Sequence, residues 1–323
     1  MIEMRVNGGK TEWDEAVLDN GGHPFQLWGW GQLKTVHGWT AERYLAYEND
    51  EIVGGVQVLI KRLPFPFKSF AYAPRGPFGS FPDVDNFLEQ VAAAVKSKYK
   101  SVVFSVEPDS QDFVAPSGWS KSSNKILPPE TILLDISETE SSLLAVMAKK
   151  TRQYIRKSSA DVSIRQARSS EDIRACLDLY KTTAKRAGFA LHSDQYYLDV
   201  FTQLGDHSPV FIAYSGDTPV AFLWLAISAE VAYELYGGVD EEGQKLRANY
   251  ALKWHAVKKC KEWGILKYDF GGLIAGGVAN FKQGWATEET VLSGTFDRPL
   301  SPFYVLWGKS LPLAKRIIQK LRR

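Results

Sequence analysis

The sequence predicts an α/β (α+β) protein made of two tandem units with mixed sheets and a cleft between them. Part of the chain is written twice. Tyr47-Glu48-Asn49-Asp50-Glu51-Ile52-Val53 returns as Tyr214-Ser215-Gly216-Asp217-Thr218-Pro219-Val220, with the Tyr, the Asp and the Val at one constant offset. Both copies read as strand, polar turn, strand. Strands then alternate with helices, and a hairpin opens each unit, so the sheets are mixed rather than purely parallel. The 323 residues suit two domains of ordinary size. A cleft between two such units can grip a large substrate from both sides.

The elements follow in order. Helical spacing in Leu27, Trp30 and Leu33 puts these side chains on one face, with Lys34 beside it. Residues 39–46 and 52–61 form the first hairpin. Leu63-Pro64-Phe65-Pro66-Phe67 is a stiff loop, because proline fixes the backbone and removes donors. Residues 70–77 add a strand and a glycine corner. Residues 84–99 are an amphipathic helix, and 101–106 a buried strand ending at Glu107-Pro108-Asp109. A polar connection covers 110–129, and a short strand 131–136. Residues 141–159 form one basic helix. A strand follows at 162–166, then a helix over 169–188 started by the capping residues Ser169-Ser170-Glu171-Asp172. Another helix spans 194–204. The second hairpin covers 210–227, a strand 231–236, and a helix 249–264 ended by glycine. Tyr268-Asp269-Phe270-Gly271-Gly272 runs from strand into corner. Phe281-Lys282-Gln283-Gly284-Trp285 precedes a last hairpin, and residues 302–323 form a basic C-terminal helix. This order fits two acetyltransferase-like (GNAT-like) units, one over 1–140 with 300–323 and one over 141–299.

Composition narrows the function. The net charge is +2, from 39 basic and 37 acidic residues, which argues against bulk binding to duplex DNA. Ten Trp and fourteen Tyr leave aromatic surface for stacking on bases or sugars. Cys176 and Cys260 stand alone in helical patterns and read as reduced thiols in a cytosolic protein. No apolar leader opens the chain and no run reaches the length of a bilayer span. There is no P-loop, no dinucleotide fingerprint, no nucleophile elbow and no metal spacing among the five histidines. No cofactor is expected.

A set of ordered anchors carries a resemblance. They are Trp30-Gly31-Gln32-Leu33-Lys34, Ala73-Pro74-Arg75-Gly76-Pro77, Val106-Glu107-Pro108, Arg152-Gln153-Tyr154-Ile155-Arg156-Lys157, Tyr236-Gly237-Gly238, Asn249-Tyr250-Ala251-Leu252-Lys253-Trp254, Tyr268-Asp269-Phe270-Gly271-Gly272, and Phe281-Lys282-Gln283-Gly284-Trp285. In this order and spacing the chain resembles the FemABX family of peptidoglycan aminoacyltransferases, in a compact form without the coiled-coil arm. The resemblance implies two GNAT-like domains, the first binding a muropeptide. It implies transfer of an aminoacyl group from aminoacyl-tRNA to a stem-peptide amine of UDP-MurNAc-pentapeptide or lipid II. The expected protein is a cytoplasmic monomer at the inner face of the membrane.

The resemblance also implies roles. Lys34 corresponds to the lysine that contacts the sugar-nucleotide diphosphate, a sensible point charge for phosphate. Arg75, His192, Tyr196 and Tyr236 fall in the substrate-binding set. His192 stands where the family has an arginine, and a neutral imidazole cannot fork onto a phosphate, so either phosphate binding is weaker, or Arg186 helps from nearby, or the acceptor differs. Glu107 takes the place of a family aspartate that assists the acceptor amine, with Asp109 as competitor. Lys282 would stabilise negative charge developing on the carbonyl or leaving oxygen. Lys149, Lys150, Arg152, Arg156 and Lys157 supply charge for tRNA, or else are the wet side of a helix. A second strip, Lys315, Arg316, Lys320, Arg322 and Arg323, would touch tRNA or anionic membrane. An acyl-CoA-dependent N-acyltransferase and an idle precursor-binding module are the rival readings.

Overall fold

The structure is a computed structural model that describes residues 2–6, 8–80, 83–273, 281–286 and 288–310. The chain divides into two compact units, 1–129 with 291–323, and 130–290.

The first unit is built on a sheet whose central strands are Thr40–Glu48, Glu51–Arg62, Ser69–Pro74 and Ser101–Glu107. The first three pair antiparallel, and Ser69–Pro74 runs parallel to Ser101–Glu107. A parallel pair needs a crossover, which the helix Val84–Tyr99 supplies. Its apolar residues Phe87, Leu88, Val91, Ala92 and Val95 recur at helical spacing and are all buried. Each of the larger ones contributes about 1.5–3 kcal/mol by leaving water. Asp83 caps its start by accepting from the Asn86 amide at 3.0 Å.

The second unit repeats this plan. Val210–Ser215, Thr218–Ile227 and Val231–Val239 pair antiparallel in turn, and Val231–Val239 runs parallel to Lys267–Asp269. The helix Ala248–Glu262 makes the crossover. Ser169 and Asp172 form a complete capping box on the helix Ser170–Ala187, which ends at Gly188 with φ of +74°.

The written repeat is a repeat of register. Tyr47 faces Ile52, and Tyr214 faces Pro219. Each hairpin carries an irregularity at the same point, between Ala46 and Tyr47 and between Ala213 and Tyr214.

Five expectations shift. The strand Leu133–Asp135 pairs with Lys267–Asp269 in the second sheet, so the first crossing falls before residue 140. Phe296–Pro299 pairs with Ser101–Glu107 and with Ser120–Lys121, so the return to the first unit comes before residue 300, and among the described residues it forms no hairpin with Thr290–Val291. The polar connection thus contributes a short strand. The expected basic helix over 141–159 is two helices, Glu140–Val146 and Lys149–Asp161. The break has a cause: Met147 is buried, and the Ala148 amide donates to the Gly284 carbonyl at 3.0 Å instead of continuing the helix. Of the C-terminal helix, residues 304–310 are helical, and the strip from Lys315 to Arg323 lies outside the described residues.

Candidate functional site

Each unit carries a constellation of its own. In the first, a cavity of about 380 Å³ is walled by Phe25, Trp30, Trp39, Phe70, Tyr72 and Trp307. Its polar lining comes from Ser105, Ser122, Asn124 and Asp297, and its cation is Lys34.

Local packing fixes these walls. The helix Trp28–Val36 buries Leu33 and carries Trp30, whose ring stacks on Phe25 with centroids 4.0 Å apart. The Lys34 ammonium lies over the Trp30 ring, 4.4 Å from its centroid, which holds the charge in place beside the apolar wall. Gly31 lets this helix approach the sheet. A Cβ there would stand 2.5 Å from the Arg43 guanidinium and against Gln57. Buried Gln57 donates to the carbonyls of Phe25 and Leu27, both at 3.1 Å, and Gln26 donates to the Pro74 carbonyl at 2.6 Å. Two buried amides therefore fix the turn that presents Phe25.

Glu107 is buried, with its two oxygens taken by three donors: the Tyr72 hydroxyl, Thr295 Oγ1 at 2.7 Å and the Leu127 amide at 3.0 Å. Glu107 is not in the cavity wall; Tyr72 is, so the carboxylate meets the cavity through that phenol. Asp297 accepts from Ser105 Oγ at 2.5 Å, Ser122 Oγ at 2.6 Å and the Tyr304 hydroxyl at 2.9 Å. Arg75 is buried away from the cavity wall, at φ of +51°, with Asp109 3.8 Å from its guanidinium. Burial, and then the charge of Arg75, hold the His23 imidazole well below its ordinary range.

In the second unit, Lys282 donates to the carbonyls of Gly271 and Gly272, each at 3.1 Å. Burial pushes its amine below the ordinary lysine range, and the Glu234 and Asp269 carboxylates pull it back up. Lys253, buried in the helix Ala248–Glu262, makes an ion pair with both oxygens of Glu234, which also accepts from the Tyr268 hydroxyl at 2.9 Å. The Lys253 ammonium lies 5.0 Å from the Phe270 ring centroid and 5.5 Å from that of Phe281. These rings immediately precede Gly271 and Lys282 in the chain. Burial lowers the Lys253 amine as well, against the pull of Glu234 and with the push of Lys282. Asp269 accepts from the Thr131 hydroxyl and from the Gly271 amide at 2.7 Å, which sets the corner holding Lys282.

Three other residues expected in the site gather in this unit. His192 stacks on Tyr196 at 4.1 Å, and Tyr236 packs edge-on against Tyr197 at 5.1 Å. Burial raises the Tyr236 hydroxyl well above its ordinary range, and the neighbouring hydroxyls of Tyr196 and Tyr197 raise it further. Arg186 spends one guanidinium nitrogen on the Val239 carbonyl at 3.1 Å. On the helix Lys149–Asp161, the side chains of Lys149, Lys150, Arg156 and Lys157 are exposed. Arg152 is half-buried and folds back onto the carbonyls of Leu144, Ala145 and Met147. The start of this helix meets the Lys282 segment, where a Cβ on Gly284 would stand 2.6 Å from Thr151 Oγ1.

Sequence reasoning passed over Tyr72, Asp297, Trp307, Glu234 and Lys253. A signal existed for Lys253: a lysine on the helix face of Ala256, Val257 and Cys260, all buried, needs a partner. None existed for the cavity, whose walls come from segments far apart in the chain.

Residues 145–283 match the acetyltransferase (GNAT) domain family. The chain is 20% identical to the lipid II:glycine glycyltransferase of Staphylococcus saprophyticus, over 94% of each chain. That alignment runs over 393 positions against 323 residues here, so the relative carries sequence that this chain lacks. The lipid II:glycine glycyltransferase of Staphylococcus aureus (strain MRSA252) is 21% identical over the full length of both. The FemX crystal structure matches with a TM-score of 0.85 at 18% identity, covering 95% of this chain and all of that one. A tandem GNAT protein of clavulanic acid biosynthesis matches at 0.52 and 11%, covering 94% and 99%.

Proposed function

We propose, for a chain that resembles the FemABX family over nearly its whole length, an aminoacyltransferase that extends the stem peptide of a peptidoglycan precursor, with aminoacyl-tRNA as donor. The observation that carries this reading is the aromatic cavity of the first unit with Lys34 fixed over Trp30. Aromatic walls suit the faces of sugars and the apolar parts of a peptide, and one ammonium suits a phosphate.

The chemistry asked of the protein is modest. The acceptor amine, as free base, attacks the ester carbonyl. The C–N bond forms, the carbonyl oxygen becomes an oxyanion, and the C–O bond to the ribose then breaks. The ribose oxygen leaves with a proton given by Lys282, and the proton that the attacking nitrogen gives up restores the Lys282 ammonium. Converting an ester to an amide is downhill, so positioning supplies most of the rate. Lys282, as ammonium, is suited to stabilise the oxyanion and to give the leaving oxygen its proton; a burial-lowered amine is a better acid than a surface lysine. Glu107 works through Tyr72: its carboxylate holds the phenolic proton and leaves the phenol oxygen to accept a hydrogen bond from the acceptor amine. The exposed cations Lys149, Lys150, Arg156 and Lys157 supply charge for the tRNA backbone without reading bases. Arg152 serves the backbone of the preceding helix first. His192, Tyr196 and Tyr236 line one aromatic group suited to the peptide portion of the acceptor or the aminoacyl end.

The test is direct. Purified protein is mixed with a set of charged tRNAs and either UDP-MurNAc-pentapeptide or lipid II, and the acceptor is weighed by mass spectrometry. A gain of one amino-acid residue that ribonuclease abolishes supports the reading. The match of residues 145–283 to acetyltransferase domains favours acetyl-CoA as the comparison donor. An acetyl gain, or an unchanged acceptor with every donor, sinks the reading. Lys34→Ala is expected to raise the KM for the acceptor with little change in kcat, as loss of uniform binding does.

A further inference from the structure

We propose that the first unit docks on an anionic lipid surface through the loop Leu63–Lys68 and the helix that opens at residue 304. Two acid-free stretches meet there. No residue from 52 to 82 and none from 298 to 323 is Asp or Glu, in a chain whose charges otherwise nearly cancel. The stretches are joined by aromatic contacts: Trp307 lies 5.3 Å from Phe67 and 5.8 Å from Phe70.

This place exposes large apolar side chains that soluble surfaces rarely cluster. Phe65, at the loop tip, is 86% exposed, and Val305, Leu306 and Phe303 are 64%, 51% and 43% exposed. Cations rim them. Arg62, Lys68 and Lys309 are exposed, and the Lys68 ammonium lies 5.9 Å from the Phe65 ring. Prolines on either side of Phe65 stiffen the tip, so burying it elsewhere orders little chain. Apolar side chains that enter the acyl boundary beneath cations that meet headgroups are the makings of an interfacial anchor. Among the described residues no helix is long and apolar enough to cross a bilayer.

The surface adjoins the cavity. Trp307 belongs to both, and the Lys61 ammonium reaches over Trp39, a cavity wall, from the strand that leads into the loop. A lipid-linked acceptor could then stay rooted in the bilayer while its polar head enters between the aromatic walls. The inference rests on the acceptor-binding reading of the first unit, but lipid docking is measured without turnover and can fail separately.

The intact protein is sedimented with vesicles of phosphatidylcholine alone and of phosphatidylcholine mixed with phosphatidylglycerol. Binding is expected to the mixed vesicles only, and to weaken as salt rises. Phe65→Ser together with Leu306→Ser should weaken it at least about tenfold, since each entering side chain gives up one buried apolar surface. Arg62→Glu and Lys68→Glu should each weaken it about fivefold or more. Turnover of the soluble nucleotide acceptor by the Phe65→Ser variant should match the unmodified protein, while turnover of vesicle-borne acceptor falls. No sedimentation with the mixed vesicles overturns the proposal, as does equal sedimentation with both kinds or sedimentation that survives all these substitutions. A concentration-dependent dimer abolished by Phe65→Ser overturns it in favour of a second copy as the occupant.

Discussion

The charge state of Lys282 is set by burial first, and then by Glu234 on one strand, Asp269 on the next, and Lys253 on the crossover helix. Burial lowers both amines, so the folded chain holds fewer protons than the unfolded one between the lowered values and the ordinary lysine value. Stability from this source is full above the ordinary value and is lost as pH falls through the lowered ones. If the ammonium form of Lys282 is the active one, the rate falls as pH rises through its folded value. Lys253→Met removes a neighbouring positive charge and should move that alkaline limb to higher pH. Glu234→Gln removes a negative charge and should move it to lower pH. A pH–rate profile of kcat/KM reads both shifts. A structural role alone would lower both rates without opposite displacements, and limbs that move together would end the assignment. Lys282 was singled out in sequence through the resemblance carried by Phe281-Lys282-Gln283-Gly284-Trp285. The Glu234–Lys253 pair was not, since a strand glutamate and a helix lysine look like surface residues until the sheet and helix are packed.

At the scale of elements, the helix Trp28–Val36 depends on one missing side chain. Gly31→Ala forces its Cβ against Gln57 and Arg43, whose groups are buried and already engaged. The helix must move outward, carrying Trp30 and Lys34 off the cavity wall. Overpacking of this kind costs about 1–3 kcal/mol. Thermal unfolding should show that loss, and the KM for the acceptor should rise with it; an unchanged KM beside a lowered Tm would mean that the cavity wall tolerates the shift. The capping box makes a milder case: Ser169→Ala removes the bond to the Asp172 amide at 3.1 Å and should cost about 1 kcal/mol in urea unfolding. Caps, helices with a clear apolar face and the two hairpins were readable because their signals are local. The break at Met147 and Ala148 was not, because the carbonyl that ends the helix run lies at Gly284, far along the chain.

Over the whole molecule, the repeat of strand, turn and strand was legible, but the return of a late strand to the first sheet was not. The first sheet takes a strand from beyond its own continuous run, since Phe296–Pro299 follows the second unit altogether, while Leu133–Asp135 enters the second sheet ahead of that unit's hairpin. Short strands carry weak periodic signals, and pairing across such sequence distance leaves no local mark. The returning strand has a consequence for stability. Residues 130–290 contain every strand of the second sheet, whereas the first unit is incomplete until residues after 290 have been added. A chain cut after residue 290 loses the strand that pairs with Ser101–Glu107. It also loses Thr295 as donor to Glu107, and Asp297 as acceptor for Ser105. Buried Ser105 is then left without its acceptor, at a cost of about 1–3 kcal/mol, Glu107 keeps only the Tyr72 hydroxyl and the Leu127 amide, and a sheet edge is opened. Hydrogen exchange on the cut chain should show amides of Ser101–Glu107 losing protection while those of Thr218–Ile227 keep theirs. Equal protection in both sheets would mean that the first unit needs no returning strand, and equal loss would mean that the two units unfold as one.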